Sequence, residues 1–238
     1  MTKKISLREA WSGAADCLHC ALRNTVLFSG LAEDDFARIH DPIDQFTLQP
    51  GTTLYNAQDT GSFLFTIRSG ALKLVQYLGD GTQRIVRIVR ATDVLGLEAL
   101  LHSPYHHDAI ALQTTEVCRY PARLVNELGR ENPNLHRELM ARWQRALSEA
   151  DAWLTELSTG AARQRVARLL LRLVRDRESS ACQLFSREDM GAMLGITTET
   201  TSRTIAEFKR QSLLVETRPN LFLLDIPNLR RIAEGDSR

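Results

Sequence analysis

The spacing of apolar positions changes twice along the chain and divides it into three regions. Between Phe46 and Pro121 the apolar residues form short runs that are rich in β-branched and aromatic side chains and are separated by glycine-containing turns. From Asn132 they recur at helical spacing. The pattern predicts an α+β fold with an antiparallel β-roll in residues 1–131, a long dimerisation helix in residues 132–159 and a third domain in residues 160–238.

The β-rich region is predicted to be a small barrel or jelly roll. Its runs are short and are cut by turn sequences such as Pro50-Gly51 and Asp80-Gly81. Rolls of this size often enclose a ligand, so we expect a sensor domain here, preceded by a short helix over residues 30–41. The predicted strands are Phe46–Leu48, Thr53–Tyr55, Phe63–Arg68, Ala71–Leu78, Gln83–Arg90, Ala109–Thr114 and Glu116–Tyr120.

The long helix carries an apolar stripe whose members are separated by alternating steps of four and three residues. This is the spacing of a coiled-coil seam, which is most simply buried against a second copy of the same helix. We therefore predict a homodimer; the alternative is that the stripe packs on the roll of its own chain. Thr159 and Gly160 interrupt the pattern and are the predicted hinge before a helix over residues 161–176. The predicted interface residues are Leu139, Trp143, Ala146, Ala150, Trp153 and Leu157.

The segment Ser186–Arg210 predicts two short helices joined by a tight turn. Ser186, with Asp189 three residues later, is a capping-box pattern, and Gly195 ends the first helix. Thr197 can cap the second helix. This is the layout of a helix-turn-helix, although an ordinary helical hairpin would show the same pattern. Two apolar runs around Glu216–Asn220 then predict a β-hairpin, so a winged helix-turn-helix is the favoured interpretation.

The first turns of the second helix carry side chains suited to reading DNA bases. Arginine bonds guanine with two hydrogen bonds, glutamate accepts from cytosine, and serine or threonine bonds either base edge. Cationic side chains further along can contact phosphates. We therefore predict binding to double-stranded DNA through Thr197, Thr198, Glu199, Ser202 and Arg203, with Lys209, Arg210 and Arg218 near the backbone.

Positive charge is concentrated in the same part of the chain. Residues 160–238 hold 14 Lys and Arg against 10 Asp and Glu, whereas the net charge of the whole chain is only +1. The excess accompanies the predicted reading helix, as phosphate binding requires. No apolar run reaches the ~20 residues that span a bilayer, and no secretory signal follows Met1. We expect a cytoplasmic protein with no membrane partner.

The order of roll, long helix and winged helix-turn-helix resembles that of the CRP/FNR family of bacterial transcription regulators. The resemblance rests on Ser69–Leu74 (SGALKL), Asp93–Gly96 (DVLG) and Glu199–Arg203 (ETTSR), and it covers nearly the whole chain. It implies a cyclic-nucleotide-binding-like roll, a homodimer and RNA polymerase as a partner. The E-x-x-S-R pattern is similar to that of the FNR branch, which implies half-sites like TTGAT. Thr201 departs from the family, where an aliphatic residue is common.

The resemblance also bears on cofactors. Relatives that bind cyclic AMP hold its phosphate and ribose with a glutamate directly after the roll glycine and with an Arg-Ser pair shortly beyond it. Here Leu97 follows Gly96, and the segment Tyr105–Asp108 contains no Arg-Ser pair, so cyclic AMP is not expected. In oxygen-sensing FNR proteins four cysteines hold a [4Fe–4S] cluster, and Cys17, Cys20 and Cys118 match three of those positions. The fourth position falls near Val26, so either another ligand completes the site or no cluster forms. The candidates for that ligand are Asp16, His19 and the segment His106-His107-Asp108.

Three further possibilities remain open from the residues alone. Cys17 and Cys20, which have CxxC spacing, can be without a bound group, with Cys118 a buried apolar residue. Alternatively, one of the histidines can hold haem. Cys182 matches no ligand position and is predicted to be structural. A metal-dependent enzyme of the cupin type is the alternative from another functional class, but the histidines His102, His106 and His107 lie in a predicted loop and the chain has no His-x-His pair. We therefore expect a regulator rather than an enzyme.

Overall fold

The computed structural model describes residues 7, 10–16, 20, 43–174 and 180–235. The chain forms two compact units, one made of Met1–Gly81 and Val86–Ser148 and the other of Thr82–Ile85 and Glu149–Arg238. The predicted helix over residues 30–41 lies outside the described residues, as do Cys17 and His19. Within the described ranges, none of the helices combines the length and the apolar character needed to cross a bilayer.

The strands that precede residue 122 form an antiparallel roll of two sheets. They are β1 (Trp11–Ala14), β2 (Asp44–Leu48), β3 (Thr53–Tyr55), β4 (Phe63–Ser69), β5 (Ala71–Tyr77), β6 (Gln83–Arg90), β7 (Val94–Leu95), β8 (Asp108–Ala111) and β9 (Thr115–Pro121). One sheet has the order β1-β2-β9-β4-β7, and the other has the order β3-β8-β5-β6. The predicted strands are all present, with ends displaced by at most three residues.

Strand β9 is central to the larger sheet, where it pairs antiparallel with both β2 and β4. Val117 faces the core and is fully buried, and it lies in register with the equally buried Ile67. The Tyr120 hydroxyl shares a hydrogen bond of 2.7 Å with the Thr66 hydroxyl, which satisfies two polar groups inside the roll. The buried side chains of β9 and β4 therefore form part of the interior of the roll, and in β4 four successive residues, 64 to 67, are buried.

Several short elements of the roll were not predicted. Strands β1 and β7 and a 3₁₀ helix, Leu97–Leu101, are too short to give a periodic pattern. Helix α1 (Ala122–Glu131) begins directly after Pro121 and buries Leu124, Val125 and Leu128. Its pattern is obscured because Gly129 lies within it and Pro133 follows closely.

Helix α2 (Pro133–Leu157) is the predicted long helix. Its first half packs on the roll, because Leu135 and Leu139 belong to the same buried core as the strands. Arg142 is also buried, and its Nη1 donates a hydrogen bond of 2.5 Å to the carbonyl oxygen of Thr92 in the turn between β6 and β7. Burial lowers the pKa of the Arg142 guanidinium from its ordinary value.

The remaining described chain forms a helical domain with a small sheet. Its elements are α3 (Ala162–Leu173), β10 (Ala181–Gln183), α4 (Arg187–Leu194), α5 (Thr198–Arg210), β11 (Leu214–Arg218), β12 (Leu221–Leu224) and α6 (Ile226–Glu234). The sheet has the order β10-β12-β11, so the predicted hairpin is present and gains a third strand. Its core includes Val166, Leu170, Phe208 and Phe222. The fold is the predicted winged helix-turn-helix. Cys182 is buried in β10, as expected of a structural cysteine.

Candidate nucleic-acid interface

Both helices of the pair begin and end at the residues that the sequence indicates. The Ser186 hydroxyl caps α4 by accepting a hydrogen bond of 3.0 Å from the Asp189 backbone N–H. Gly195 ends α4 in the left-handed conformation, with a φ of 63°. The Thr197 hydroxyl caps α5 by accepting a hydrogen bond of 3.1 Å from the Thr200 N–H. A local hydrogen bond at the first turn therefore sets the residue at which α5 begins.

One face of α5 is buried against the rest of the domain. Ile205 and Phe208 are almost fully buried, as predicted, and so is Thr201. The Thr201 hydroxyl donates a hydrogen bond of 3.1 Å to the Thr197 carbonyl one turn earlier. Threonine is therefore accommodated at a position where the family commonly has an aliphatic residue, because its hydroxyl has a partner within the helix.

The opposite face of α5 presents the predicted base-reading side chains. Glu199 and Arg203, one helical turn apart, form an ion pair of 2.7 Å with side chains that are 81% and 72% exposed. Ala206 continues the same face and was not singled out from the sequence. It lies four residues after Ser202 and three after Arg203, and this helical spacing is the signal that identifies it. The exposed residues of α5 are Thr198, Glu199, Ser202, Arg203, Ala206, Lys209 and Arg210.

The predicted phosphate-binding residues differ in their surroundings. Lys209 is engaged by the wing, because its Nζ lies 2.8 Å from a carboxylate oxygen of Glu216 and 4.7 Å from the centre of the Phe222 ring. This hydrogen bond is the main reason why the pKa of Glu216 lies below its ordinary value. Arg210 and Arg218 are exposed. The pair Lys209–Glu216 thus links α5 to β11.

The cap at Thr197 gives a direct test of how α5 is held. Replacing Thr197 with alanine is expected to destabilise the protein by about 0.5–2 kcal/mol, because the Thr200 N–H loses its partner. Replacing it with serine keeps the hydroxyl and is expected to cost much less. Urea unfolding followed by circular dichroism measures both variants. Equal losses for alanine and serine would mean that the methyl group of Thr197, and not its hydroxyl, stabilises the helix.

The exposed apolar stripe of α2 is shifted by one residue from the predicted seam. Met140, Trp143, Leu147 and Leu154 are all exposed, and Leu147 and Leu154 reach 56% and 67%. With Ala150, which is also exposed, they recur in steps of three and four residues along one face. Met140, Leu147 and Leu154 were missed, because two overlapping series share the same spacing.

The predicted interface residues accordingly lie in different environments. Trp143 and Ala150 are on the exposed stripe, whereas Ala146 and Trp153 are half-buried at its edge. Leu139 and Leu157 are buried within the chain, Leu139 in the core of the roll. One face of α2 therefore packs on the roll of its own chain, as the alternative proposed, and the neighbouring apolar face is exposed.

Two of the described cysteines, Cys20 and Cys118, are close enough for their thiols to interact electrostatically. Cys118, in the middle of β9, is half-buried, and burial raises the pKa of its thiol. Arg68 counteracts this by its charge and by a hydrogen bond to the sulfur, whereas the nearby Cys20 thiol raises the pKa further. Cys17 lies outside the described residues. Among those that are described, no three Cys, His, Asp or Glu side chains are placed to hold a metal ion.

The histidine segment also lacks the arrangement of a metal site. The rings of His106 and His107 are 6.4 Å apart at their centres and meet edge to face. His107 is half-buried, and burial lowers its pKa. Asp108 is occupied at the start of β8, where its carboxylate accepts a hydrogen bond of 2.6 Å from the Ala57 N–H. The cupin alternative needs ligands that converge inside the roll, which this segment does not provide.

Comparison with known proteins agrees with this architecture. The sequence profile of the Cyclic nucleotide-binding domain matches residues 45–132, and that of the Crp-like helix-turn-helix domain matches residues 164–232. The chain is 31% identical over 228 residues to the transcriptional activator protein FnrA of Stutzerimonas stutzeri, with 93% of both chains covered. It is 29% identical to the transcriptional activator protein anr of Pseudomonas aeruginosa, again over 93% of both. Among solved structures, FixK2 from Bradyrhizobium japonicum shares the fold, with a TM-score of 0.72, 24% identity, and coverage of 82% of this chain and 99% of that chain.

The two profiles fall on the two parts of the structure that they describe, the roll and the winged helix-turn-helix. The relatives matched along nearly their whole length are transcriptional activators, which excludes the enzyme alternative. A relative at 31% identity that is matched over 93% of both chains establishes common descent of the whole protein. The chain therefore belongs to the CRP/FNR family of DNA-binding transcription regulators.

Proposed function

We propose that this regulator acts as a homodimer that reads a palindrome with TTGAT-like half-sites. The observation that carries the proposal is the exposed face of α5, where Glu199, Ser202 and Arg203 project from a helix whose opposite face is buried. In a helix-turn-helix this second helix enters the major groove with its first turns against the base edges. The three side chains occupy those turns.

The contacts follow from the chemistry of the side chains. Arg203 would bond guanine through O6 and N7, Glu199 would accept from the cytosine amino group, and Ser202 would bond a neighbouring base edge. Thr197 and Thr198, at the start of α5, would approach the phosphates together with the free N–H groups of the first turn. Arg210 and Arg218 supply exposed positive charge for the backbone, and Lys209 would join them by leaving Glu216.

The open stripe of α2 supports the homodimer. Exposed leucine, methionine and tryptophan side chains in a continuous row are costly in water and are typically covered by another surface. A second copy of the helix offers the same row, so a two-fold axis would bury both. Two reading helices related by that axis would meet half-sites about 34 Å apart, one turn of DNA.

The roll is the proposed sensor of redox state or of a small effector, and RNA polymerase is the proposed protein partner. The nearby thiols of Cys20 and Cys118 support the redox route. They would supply two of the four ligands of a [4Fe–4S] cluster, and the described residues alone do not complete that set of ligands. Cyclic AMP is not the proposed effector, because a buried Leu97 takes the place of the family's ligand-binding glutamate.

DNA binding is tested with three labelled duplexes: a TTGAT palindrome, the same duplex with one half-site scrambled, and a fully scrambled duplex. Fluorescence anisotropy at fixed salt is expected to rank them in that order of affinity, because specific and non-specific binding differ by base contacts. Equal affinity for the palindrome and the fully scrambled duplex would overturn the proposed site.

The sensor is tested on protein purified without oxygen. The protein could contain iron and sulfide in stoichiometric amounts and show a broad visible absorbance that is lost in air. This result would show that residues outside the described ranges, or ligands other than cysteine, complete a cluster. Colourless, iron-free protein whose DNA affinity nevertheless changes with a thiol oxidant would support a response of the thiols themselves. Affinity that is unchanged by either treatment would contradict the redox route.

A further inference from the structure

The turn between α2 and α3 is short and tightly bonded. Helix α2 ends at Leu157, α3 begins at Ala162, and Gly160 reverses the chain between them with a φ of 85°. A side chain at Gly160 would place its first carbon 2.6 Å from the Gln164 amide oxygen. That oxygen accepts a hydrogen bond of 2.8 Å from the Ala161 N–H. The predicted hinge is therefore an ordered turn rather than a loose linker.

Arg168 on α3 ties this turn to both ends of the domain. Its Nη1 donates to the carbonyl oxygens of Glu156, at 3.0 Å, and Thr159, at 2.8 Å. The same nitrogen lies 3.4 Å from the Thr159 hydroxyl. Its Nε donates to the carbonyl of Ala233, in the last turn of α6, at 2.9 Å. One guanidinium thus connects α2, α3 and α6.

Two of the three bonded carbonyls, those of Glu156 and Ala233, lie in the last turn of a helix. The last four carbonyls of an α-helix have no N–H within the helix, and they carry the negative end of its dipole. The Arg168 guanidinium satisfies one such carbonyl in α2 and one in α6, together with the Thr159 carbonyl in the turn, and it adds a favourable charge. Arg172 reinforces the contact, because its Nε lies 3.4 Å from the Glu156 carboxylate. We call residues 162–235 the head. The bonds of Arg168 and Arg172 to Glu156 attach the last turn of α2 to this head.

We propose that Arg168 is a positioning residue that fixes the head to the last turn of α2 and thereby sets the affinity for a complete palindrome. The proposal rests on the proposed function, since it requires two heads joined through their α2 helices. Arg168 lies on α3 and makes its bonds to backbone carbonyls away from the exposed face of α5. Its effect on DNA binding would therefore act through the direction in which each head is held.

This role predicts different effects on one half-site and on two. A single half-site needs one head, whatever its direction relative to α2. A palindrome needs both heads in a fixed mutual orientation, because the second contact gains affinity only when the connection presents it correctly. Loosening the connection at Arg168 should therefore reduce the advantage of the palindrome and leave the affinity for one half-site nearly unchanged.

The test compares two methionine variants, which keep the apolar part of the arginine side chain and remove its donors. Arg168→Met breaks the bonds to α2 and α6. Arg165→Met is the matched control, because Arg165 is also on α3 and its Nη1 also donates to a helix-terminal carbonyl, that of Leu194, at 2.7 Å, but within the head. Anisotropy with the palindrome and with the duplex that has one half-site scrambled gives the affinity ratio of each variant, and circular dichroism confirms folding.

We expect Arg168→Met to lower the ratio of palindrome to half-site affinity by about tenfold and Arg165→Met to lower both affinities together. Arg168→Lys, which retains one donor, should give an intermediate ratio, and it decides the test if the methionine variant does not fold. An unchanged ratio in the Arg168 variants overturns the inference. A parent protein that shows no preference for the palindrome overturns the homodimer instead, and the inference with it.

Discussion

Replacing Arg203 with alanine is expected to weaken binding to a TTGAT palindrome by about 1–3 kcal/mol per half-site. The variant would remove the two proposed hydrogen bonds to a guanine, and it leaves Glu199 without its partner at 2.7 Å. Binding to a fully scrambled duplex should fall much less, because non-specific binding depends on phosphate contacts. The measured quantity is the ratio of the two dissociation constants at one salt concentration.

Two further variants separate base reading from charge. Arg203→Lys keeps the positive charge but cannot form the paired hydrogen bonds, so it should lose most of the discrimination while it keeps the non-specific affinity. Arg210→Ala should weaken both duplexes alike and reduce the slope of log affinity against log salt by about one unit. If Arg203→Ala leaves the ratio of the parent intact, Arg203 does not read a base.

Replacing Leu147 with glutamate is expected to convert the proposed dimer into a monomer. Leu147 lies at the middle of the exposed stripe and is 56% exposed in the single chain. A glutamate there would have to be buried against its own symmetry mate, and two facing carboxylates without partners cost far more than the leucine contacts contribute. Light scattering should report half the mass of the parent. Palindrome binding should fall to the level of a single half-site.

The control for this variant is Ser148→Glu. Ser148 is exposed on the same helix, one residue further along and outside the stripe, so the substitution adds the same charge at a comparable distance from the roll. It should leave the dimer intact. A dimeric Leu147→Glu protein would place the interface elsewhere, and a monomeric Ser148→Glu protein would show that added charge alone separates the copies.

The helix-turn-helix could be predicted from the sequence almost to the residue. Ser186, Gly195 and Thr197 have short-range capping preferences that act within one turn of the helix, so neighbours in sequence determine the outcome. The wing could also be predicted, because its apolar runs flank turn residues. Helix α6 and strand β10 could not, since β10 has only three residues and is formed by pairing with β12.

The apolar stripe of α2 shows that a periodic sequence pattern alone does not determine which residues of a helix are exposed. Leu139 and Met140 both begin a series with steps of three and four residues, and both series contain Trp143 and Ala150. Which series faces outward depends on how α2 packs on the roll through Leu135 and Leu139, a contact between residues far apart in sequence. The pattern identified the helix and two interface candidates, whereas tertiary packing determined the remaining ones.

The two charges of α5 that are proposed to read bases, Glu199 and Arg203, are paired with each other in the free chain. In the proposed complex, entry into a matching groove would exchange this exposed ion pair for a contact of each side chain with a base. On a sequence that offers neither guanine nor cytosine at the right position, the pair can stay closed and contributes little attraction. A surface of this kind would bind non-matching DNA weakly, and long residence would be confined to sites that separate the two charges.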